Sequence, residues 1–426
     1  MLGLLNNWFG SSANPIGVDF GSDCLKLAQV QWTGSEHKLV AAASADVPPH
    51  VRHDPAARLS FFAQTTRDLL AQGKFRGRQA VLALPAASMF ILHLRMARMD
   101  DDGIKKALPW EARGKLPIDP SHAILRHLVA GEIYQDQEPR SEVIVMAAAR
   151  DLVKQLLDAA GRAKLDVIGM TVEPTATVHC FGHVYRRKTD EDVTNLFVDI
   201  GASGTRAVIA RGQSILFARA IPVGGDHFAR AVAGAMKIGL DEARLLRLRV
   251  AASRPQPTER REKQEVAAPA EAASGEFAIL GAAMRAAERR GTAPAEAAPC
   301  PPQAAPTPKD DPDRQAQQVE EACREPLAKL VEELELCRRY YESTFSSRPV
   351  DRLIFVGGEA RQRTLCQSIA QQLGLAAQVG DPLVRMSRTS EVGIESGIDR
   401  RQPQPAWTVA IGLSMGPVLA AVKAKS

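Results

Sequence analysis

Two aspartates stand where a strand breaks into a glycine turn. The stretch "GVDFGSDCLKLAQV" (Gly17–Val30) sets Asp19 at the end of one apolar strand, Gly21-Ser22 in the turn and Lys26 on the returning strand. "LFVDIGASGTRAVIA" (Leu196–Ala210) repeats the pattern 180 positions later, with Asp199, Gly201, Ala202, Ser203 and Arg206. A single copy is an ordinary turn, because Asp and Gly are common turn residues. The chemistry open to such a turn is phosphate and cation binding. Its backbone N–H groups cradle an anion while the carboxylate holds a metal ion, directly or through water. Two copies imply two related lobes, each presenting one such turn to a shared cleft.

The elements that must position these turns read clearly. Each copy opens a β-meander, continued by "HKLVAAASADV" after the first and "QSILFARAIPV" after the second. "HDPAARLSFFAQTTRDLLAQGKF" predicts a helix with Asp54 as N-cap, Pro55 at its first position and Gly73 as its stop. "QAVLALP" (Gln79–Pro85) predicts a buried strand. "MFILHLRM" alternates like a strand, and the helix after it is disturbed by Pro109 and ended by Pro117. "SEVIVMAAA", "RDLVKQLLDAAGRA" and "LDVIGMTVEP" then predict strand, helix and strand. Residues 88–164 therefore form a small α+β module inserted into the first lobe. From Pro326, the residues Leu327, Leu330, Leu334, Cys337, Tyr341 and Phe345 recur at three- and four-residue steps, as on a core-facing helix. "VDRLIFVGGEARQ" runs a strand into the pair Gly357-Gly358 and a helix.

Composition narrows the function. A chain of 426 residues is too long for one core, so two or more domains are expected. Net charge is +5, but no Lys/Arg run carries interleaved aromatics, which disfavours nucleic-acid binding. Six cysteines without a Cys-X-X-Cys pair read as free thiols in a reducing compartment. "MLGLLNNWFGSS" lacks the basic start and long apolar run of a secretory signal. With no apolar stretch of spanning length, the expectation is a cytoplasmic protein. The stretch 251–318, rich in Pro, Ala, Glu and Arg, is expected to be disordered because it cannot bury enough apolar surface.

The order of the Asp19 hairpin, "TVEPTATVHCFG" with Glu173, the Asp199 hairpin trailed by "PVGGDHFARAVAGAM", and "FVGGEAR" resembles the actin-like ATPases. Within that superfamily the likeness is to the PilM family of type IV pilus assembly proteins, related to FtsA. "IGVDFGSDCLKLAQV", "ALPWEARGKLPIDP", the run from "LCRRYYESTF" through "FVGGEAR" to "VGDPL", and "WTVAIGLSMG" carry it over nearly the whole chain. The resemblance implies an α/β, two-lobed actin-like (ribonuclease H-like) ATPase fold with an inserted 1C-type subdomain. It divides the chain into a tail (1–14), lobe I (15–87 and 165–190), the 1C-like module (88–164), lobe II (191–250 and 319–400), the insertion (251–318) and a closing helix on lobe I (401–426). It implies ATP or ADP with Mg²⁺ held by Asp19, Gly21, Ser22, Lys26, Asp199, Gly201, Ala202, Ser203, Gly224, Gly225, Gly357 and Gly358. Asp19 and Asp199 reach the metal through water, and Glu173 orients metal-bound water as the catalytic candidate. "GLDEARLLR" departs from the family by placing Arg244 and Arg247 where a Glu and a Lys contact ribose and adenine, and arginine accepts no hydrogen bond from a ribose hydroxyl.

The function implied is nucleotide-dependent assembly. The protein would be peripheral at the inner membrane and would dock the cytosolic N-terminal peptide of a PilN-like inner-membrane protein in a groove between the module and lobe I. Two alternatives stay open: a small-molecule kinase or phosphatase, for which no catalytic Asp is apparent in the first lobe, and an FtsA-like filament protein. A slow ATPase is the most enzyme activity expected.

Overall fold

The computed structural model describes residues 13–34, 36–85, 88–185, 190, 192–253, 312–345, 348–387 and 397–416. The first sheet begins with the predicted meander: β1 (Ile16–Phe20), β2 (Cys24–Trp32) and β3 (His37–Asp46), all antiparallel. Helix α1 (Pro55–Gln72) follows, with the Asp54 carboxylate accepting from the Ala56 and Ala57 N–H groups and Gly73 closing on the Leu69 carbonyl. Strand β4 (Gln79–Leu84) then pairs parallel with β1.

The inserted module is β5 (Met89–Ala97), α2 (Asp101–Glu111), β6 (Ala123–Gln135) and β7 (Glu138–Ala149), in the order β5-β7-β6. Pro109 lies inside α2, which ends at Glu111 rather than at Pro117. Helix α3 (Arg150–Arg162) does not belong to the module, although the sequence boundary at residue 164 places it there. Its Leu156, Ala159 and Ala160 pack with Ile16, Val18, Phe62 and Leu82 in the first-lobe core. Chain adjacency suggested one unit; the buried face of α3 assigns it to the other.

Strand β8 (Asp166–Val172) joins β4, and α4 (Glu173–Phe181) crosses toward the second lobe. That lobe repeats the first. Strands β9 (Thr194–Ile200), β10 (Thr205–Arg211) and β11 (Ser214–Ile221) form an antiparallel meander. Helices α5 (Gly225–Met236), α6 (Leu240–Ser253) and α7 (Pro312–Thr344) precede β12 (Arg352–Val356), which is followed by α8 (Arg363–Leu373) and β13 (Ala376–Val379). The sheets run β3-β2-β1-β4-β8 and β11-β10-β9-β12-β13, each a meander continued by two parallel strands. The sequence repeat is thus a repeat of topology.

Helix α7 starts before Pro326 and carries it in its interior; Leu330, Leu334, Cys337 and Tyr341 are fully buried in the second-lobe core. That burial offsets the hydrogen bond the proline forfeits. The described ends of the stretch expected to be disordered, 251–253 and 312–318, are helical, and the rest lies outside the described residues. Strand β14 (Met386–Ser387) returns the chain to β3, and α9 (Thr408–Met415) packs against β1 and α4. The approach is at backbone distance: a Cβ at Gly17 would overlap the Ala410 carbonyl, and one at Gly412 the Ala176 carbonyl. The five described cysteines are free thiols. No helix among the described residues is long and apolar enough to cross a membrane.

A buried polar junction ties the module to the second lobe. Glu142 on β7, with no exposed surface, accepts from His93 Nδ1 at 3.1 Å and from the Tyr340 hydroxyl of α7 at 2.7 Å. His93 Nε2 lies 3.0 Å from the Ala218 carbonyl of β11, so both ring nitrogens meet acceptors. Burial works against the Glu142 charge, and the His93 and Tyr340 hydrogen bonds, with the charge of Arg95, outweigh it and hold the carboxyl below its usual range. Glu142→Leu is therefore expected to destabilise the protein by about 2 kcal/mol, because two half-buried partners lose their acceptor. Urea denaturation of the variant checks this, and a shift within about 0.5 kcal/mol would show that the junction is neutral.

Candidate functional site

The twin hairpins face each other across a cleft of about 510 Å³ between the lobes. Their geometry is the same. Asp19 sits opposite Lys26 on the neighbouring strand, and Asp199 opposite Arg206. Each turn closes with one hydrogen bond of 3.0 Å, Gly21 N–H to the Cys24 carbonyl and Gly201 N–H to the Gly204 carbonyl. The glycine amides expected to bind phosphate are therefore spent inside the turns. Gly225 is likewise committed, donating to the Gly201 carbonyl at 2.9 Å. The amides of Ser22, Ala202 and Ser203 carry no such turn bond.

Supports behind the turns fix their shape. Arg58 of α1 donates to the Gly21 and Ser22 carbonyls at 3.0 and 2.9 Å and lies over the Phe20 ring. Behind the second turn, a Cβ at Gly224 would press on Gly201, Ala202 and Gly204. Gly357 adopts φ +88°, a left-handed conformation that favours glycine, and a Cβ there would overlap the Asp199 carboxylate.

Between the hairpins lies a cluster of five ionisable groups. Glu173, at the first turn of α4 and 2% exposed, is ion-paired through Oε2 to Arg206 Nε, which also lies 3.9 Å from Asp199 Oδ2. Three carboxylates (Asp19, Asp199, Glu173) thus share two cations (Lys26, Arg206), leaving an excess of negative charge. Burial pushes Asp19 up to about 7; Lys26 opposes the rise, while Glu173 and Asp199 add to it. Burial works against the Lys26 charge, yet Asp19 holds its ammonium above the ordinary range. Arg206 is raised in the same way, with burial outweighed by Glu173 and Asp199.

Of the residues singled out in the sequence, Asp19, Gly21, Ser22, Lys26, Glu173, Asp199, Gly201, Ala202, Gly225, Gly357 and Gly358 line this cleft. Ser203 opens onto an adjoining cavity, and Gly224 forms the N-cap of α5. Sequence reasoning missed the carboxylates Asp226 and Glu359. Each directly follows a glycine pair, which is the signal that marked them. Arg244 pairs with Asp226 at 2.9 Å and Arg247 with Glu359 at 2.7 Å, so the two departures on α6 meet carboxylates from neighbouring elements. Among the described residues no three His, Cys, Asp or Glu side chains form a direct metal-binding cluster.

A second cavity, of about 390 Å³, runs along β5. Met89, Phe90, Ile91 and Leu92 form one wall with Leu116 and Pro117. The facing wall is Phe217–Ala220 of β11 with Tyr340, so it belongs to the second lobe, whereas the sequence placed such a groove between the module and the first lobe. Ala130 and Ile144 of the module sheet pack with Ala218 of β11, which sets the module there.

A family model described as type IV pilus assembly protein PilM matches residues 17–254. A second, described as cell division protein FtsA, matches residues 196–412. Among solved structures, a chain of a PilM-PilN type IV pilus biogenesis complex aligns with TM-score 0.67 and 21% identity, covering 94% of this chain and 98% of that one. Ethanolamine utilization protein EutJ from Carboxydothermus hydrogenoformans aligns with TM-score 0.47 and 14% identity over 95% and 89% of the two chains. ADP-bound MreB5 of Spiroplasma citri gives TM-score 0.43 and 12% identity over 93% and 94%.

Proposed function

Since the chain belongs to the PilM family of type IV pilus assembly proteins and has the family's two-lobed actin-like fold, we propose that it binds a nucleoside triphosphate or diphosphate with Mg²⁺ between its lobes. The observation that carries this reading is the pair of Asp hairpins of matching strand register and turn hydrogen bond, sharing one cleft and one charge cluster. The donor set fits the ligand. One or two carboxylates with waters and phosphate oxygens are the usual surroundings of Mg²⁺, and Asp19 and Asp199 supply them. Lys26, Arg206 and the amides of Ser22, Ala202 and Ser203 suit phosphate oxygens. Mg²⁺, when bound, would supply the positive charge that balances the hairpin carboxylates against the phosphate oxygens. Glu173 serves to position Arg206, since its Oε2 is engaged by that guanidinium. Calorimetric titration with Mg·ATP and Mg·ADP tests the reading, and no binding at roughly millimolar nucleotide would overturn it.

The β5 cavity supports a partner role. We assign it to the cytosolic N-terminal peptide of a PilN-like inner-membrane protein, which would hold this protein at the membrane periphery. An extended apolar peptide suits a groove beside the sheet-edge strand β5, where side-chain pockets and unpaired backbone groups lie together. Binding of such a peptide is expected to be micromolar and to survive moderate salt, because the contact is largely apolar. Phe90→Asp or Leu116→Asp should weaken it at least about tenfold, and unchanged fluorescence-anisotropy titrations would move the partner site elsewhere.

A further inference from the structure

Past the Asp199 hairpin, the second-lobe wall of the cleft carries Glu359 in a specific setting. Arg247 of α6, only 4% exposed, donates to the Gly225 carbonyl at 2.9 Å and to Glu359 Oε2 at 2.7 Å. Gln362 Nε2 donates to the same oxygen at 2.8 Å. Oε2 is therefore doubly engaged. Oε1 has no hydrogen-bond donor among the described residues, and it lies over Gly225, where a Cβ would overlap it. The backbone that carries Glu359 is fixed as well, since Gly357 N–H donates to the Pro405 carbonyl at 3.0 Å.

A nucleoside brings two ribose hydroxyls, each a donor in need of an acceptor, and the arginines of α6 have none to give. We propose that Glu359 is the ribose-binding residue of this cleft, with Oε1 accepting from the ribose hydroxyls while Arg247 and Gln362 position the carboxylate through Oε2. The proposal rests on the nucleotide reading above. Arg247 also offsets the carboxylate charge, which allows an anion to stand near the phosphate loops. Leu248, 54% exposed on the same cleft wall, offers apolar surface on which a base can lie. Arg244 is tied to both Asp226 and Asp241, so its part is to brace α6.

The test compares ATP with 2′,3′-dideoxy-ATP on the full chain in Mg²⁺, by calorimetry, for the parent, Glu359→Ala and Glu359→Gln. The parent should bind ATP about tenfold tighter than the dideoxy analogue, as expected for a charge-assisted hydrogen bond. In Glu359→Ala that ratio should fall close to one, with dideoxy-ATP affinity within about threefold of the parent. Glu359→Gln, which keeps shape and an acceptor but loses charge, should give an intermediate ratio and serves if the alanine variant folds poorly. Equal affinities in the parent, or a parental ratio in both variants, would overturn the assignment. Binding of dideoxy-ATP shows separately that the nucleotide reading stands; if the parent binds neither ligand, that reading fails and this one with it.

Discussion

Arg206→Met is expected to remove about 3 to 5 kcal/mol of folding stability. The arginine is the central cation of the cleft. Its Nε pairs with Glu173 and lies 3.9 Å from Asp199, while Nη1 donates to the Gly204 carbonyl at 3.2 Å. Methionine fills much of the same volume but leaves Glu173 and Asp199 buried beside each other with Lys26 as the one remaining cation of the cluster. The cost is that of stranded charge rather than of lost packing, and this has a signature. Adding Glu173→Leu to Arg206→Met should restore most of the stability, because a buried ion pair is often replaceable by apolar residues of like volume. Urea denaturation of the parent, both single variants and the double variant measures the coupling. A loss under about 1 kcal/mol in Arg206→Met would mean that the pair behaves like an exposed one.

Removing a hairpin carboxylate should affect the ligand more than the fold. Asp19→Ala and Asp199→Ala are each expected to weaken Mg²⁺-dependent nucleotide binding about tenfold or more, the scale of one charge-assisted contact. The two sites are equivalent by strand register, each with a basic residue directly opposite. They differ in their surroundings. Burial and neighbouring acids push Asp19 up to about 7, so its alanine variant relieves a crowded carboxylate while removing the acid that favours the Lys26 charge, and the two opposing effects should leave stability little changed. Asp199→Ala instead deprives Arg206 of a partner and should cost some stability. Calorimetry with and without Mg²⁺ separates the metal-linked part, and parental affinity in both variants would remove the phosphate assignment.

The sequence by itself determined the repeated unit. Asp19 and Asp199, the turns after them and the meanders around them are local patterns, set by strand alternation and turn chemistry within about fifteen residues. The α1 cap was legible for the same reason: Asp54, Pro55 and Gly73 act on their own helix ends. Strand β6 lacked that clarity. "AILRHLVAGEIYQ" carries polar residues and a glycine within its span, and the register shifts between Val129 and Gly131, so no clean alternation announces it. The module boundary failed for another reason. Arg150–Arg162 reads as an amphipathic helix either way, and only the packing of its apolar face shows which lobe owns it. The cleft chemistry was decided at the same level. Glu173 with Arg206, Arg247 with Glu359, and Glu142 with Tyr340 join residues 33, 112 and 198 positions apart. Their pairing depends on which strands lie side by side and which loops face one another. Residue type set what each group could do, and the juxtaposition of the two lobes set which partner it met.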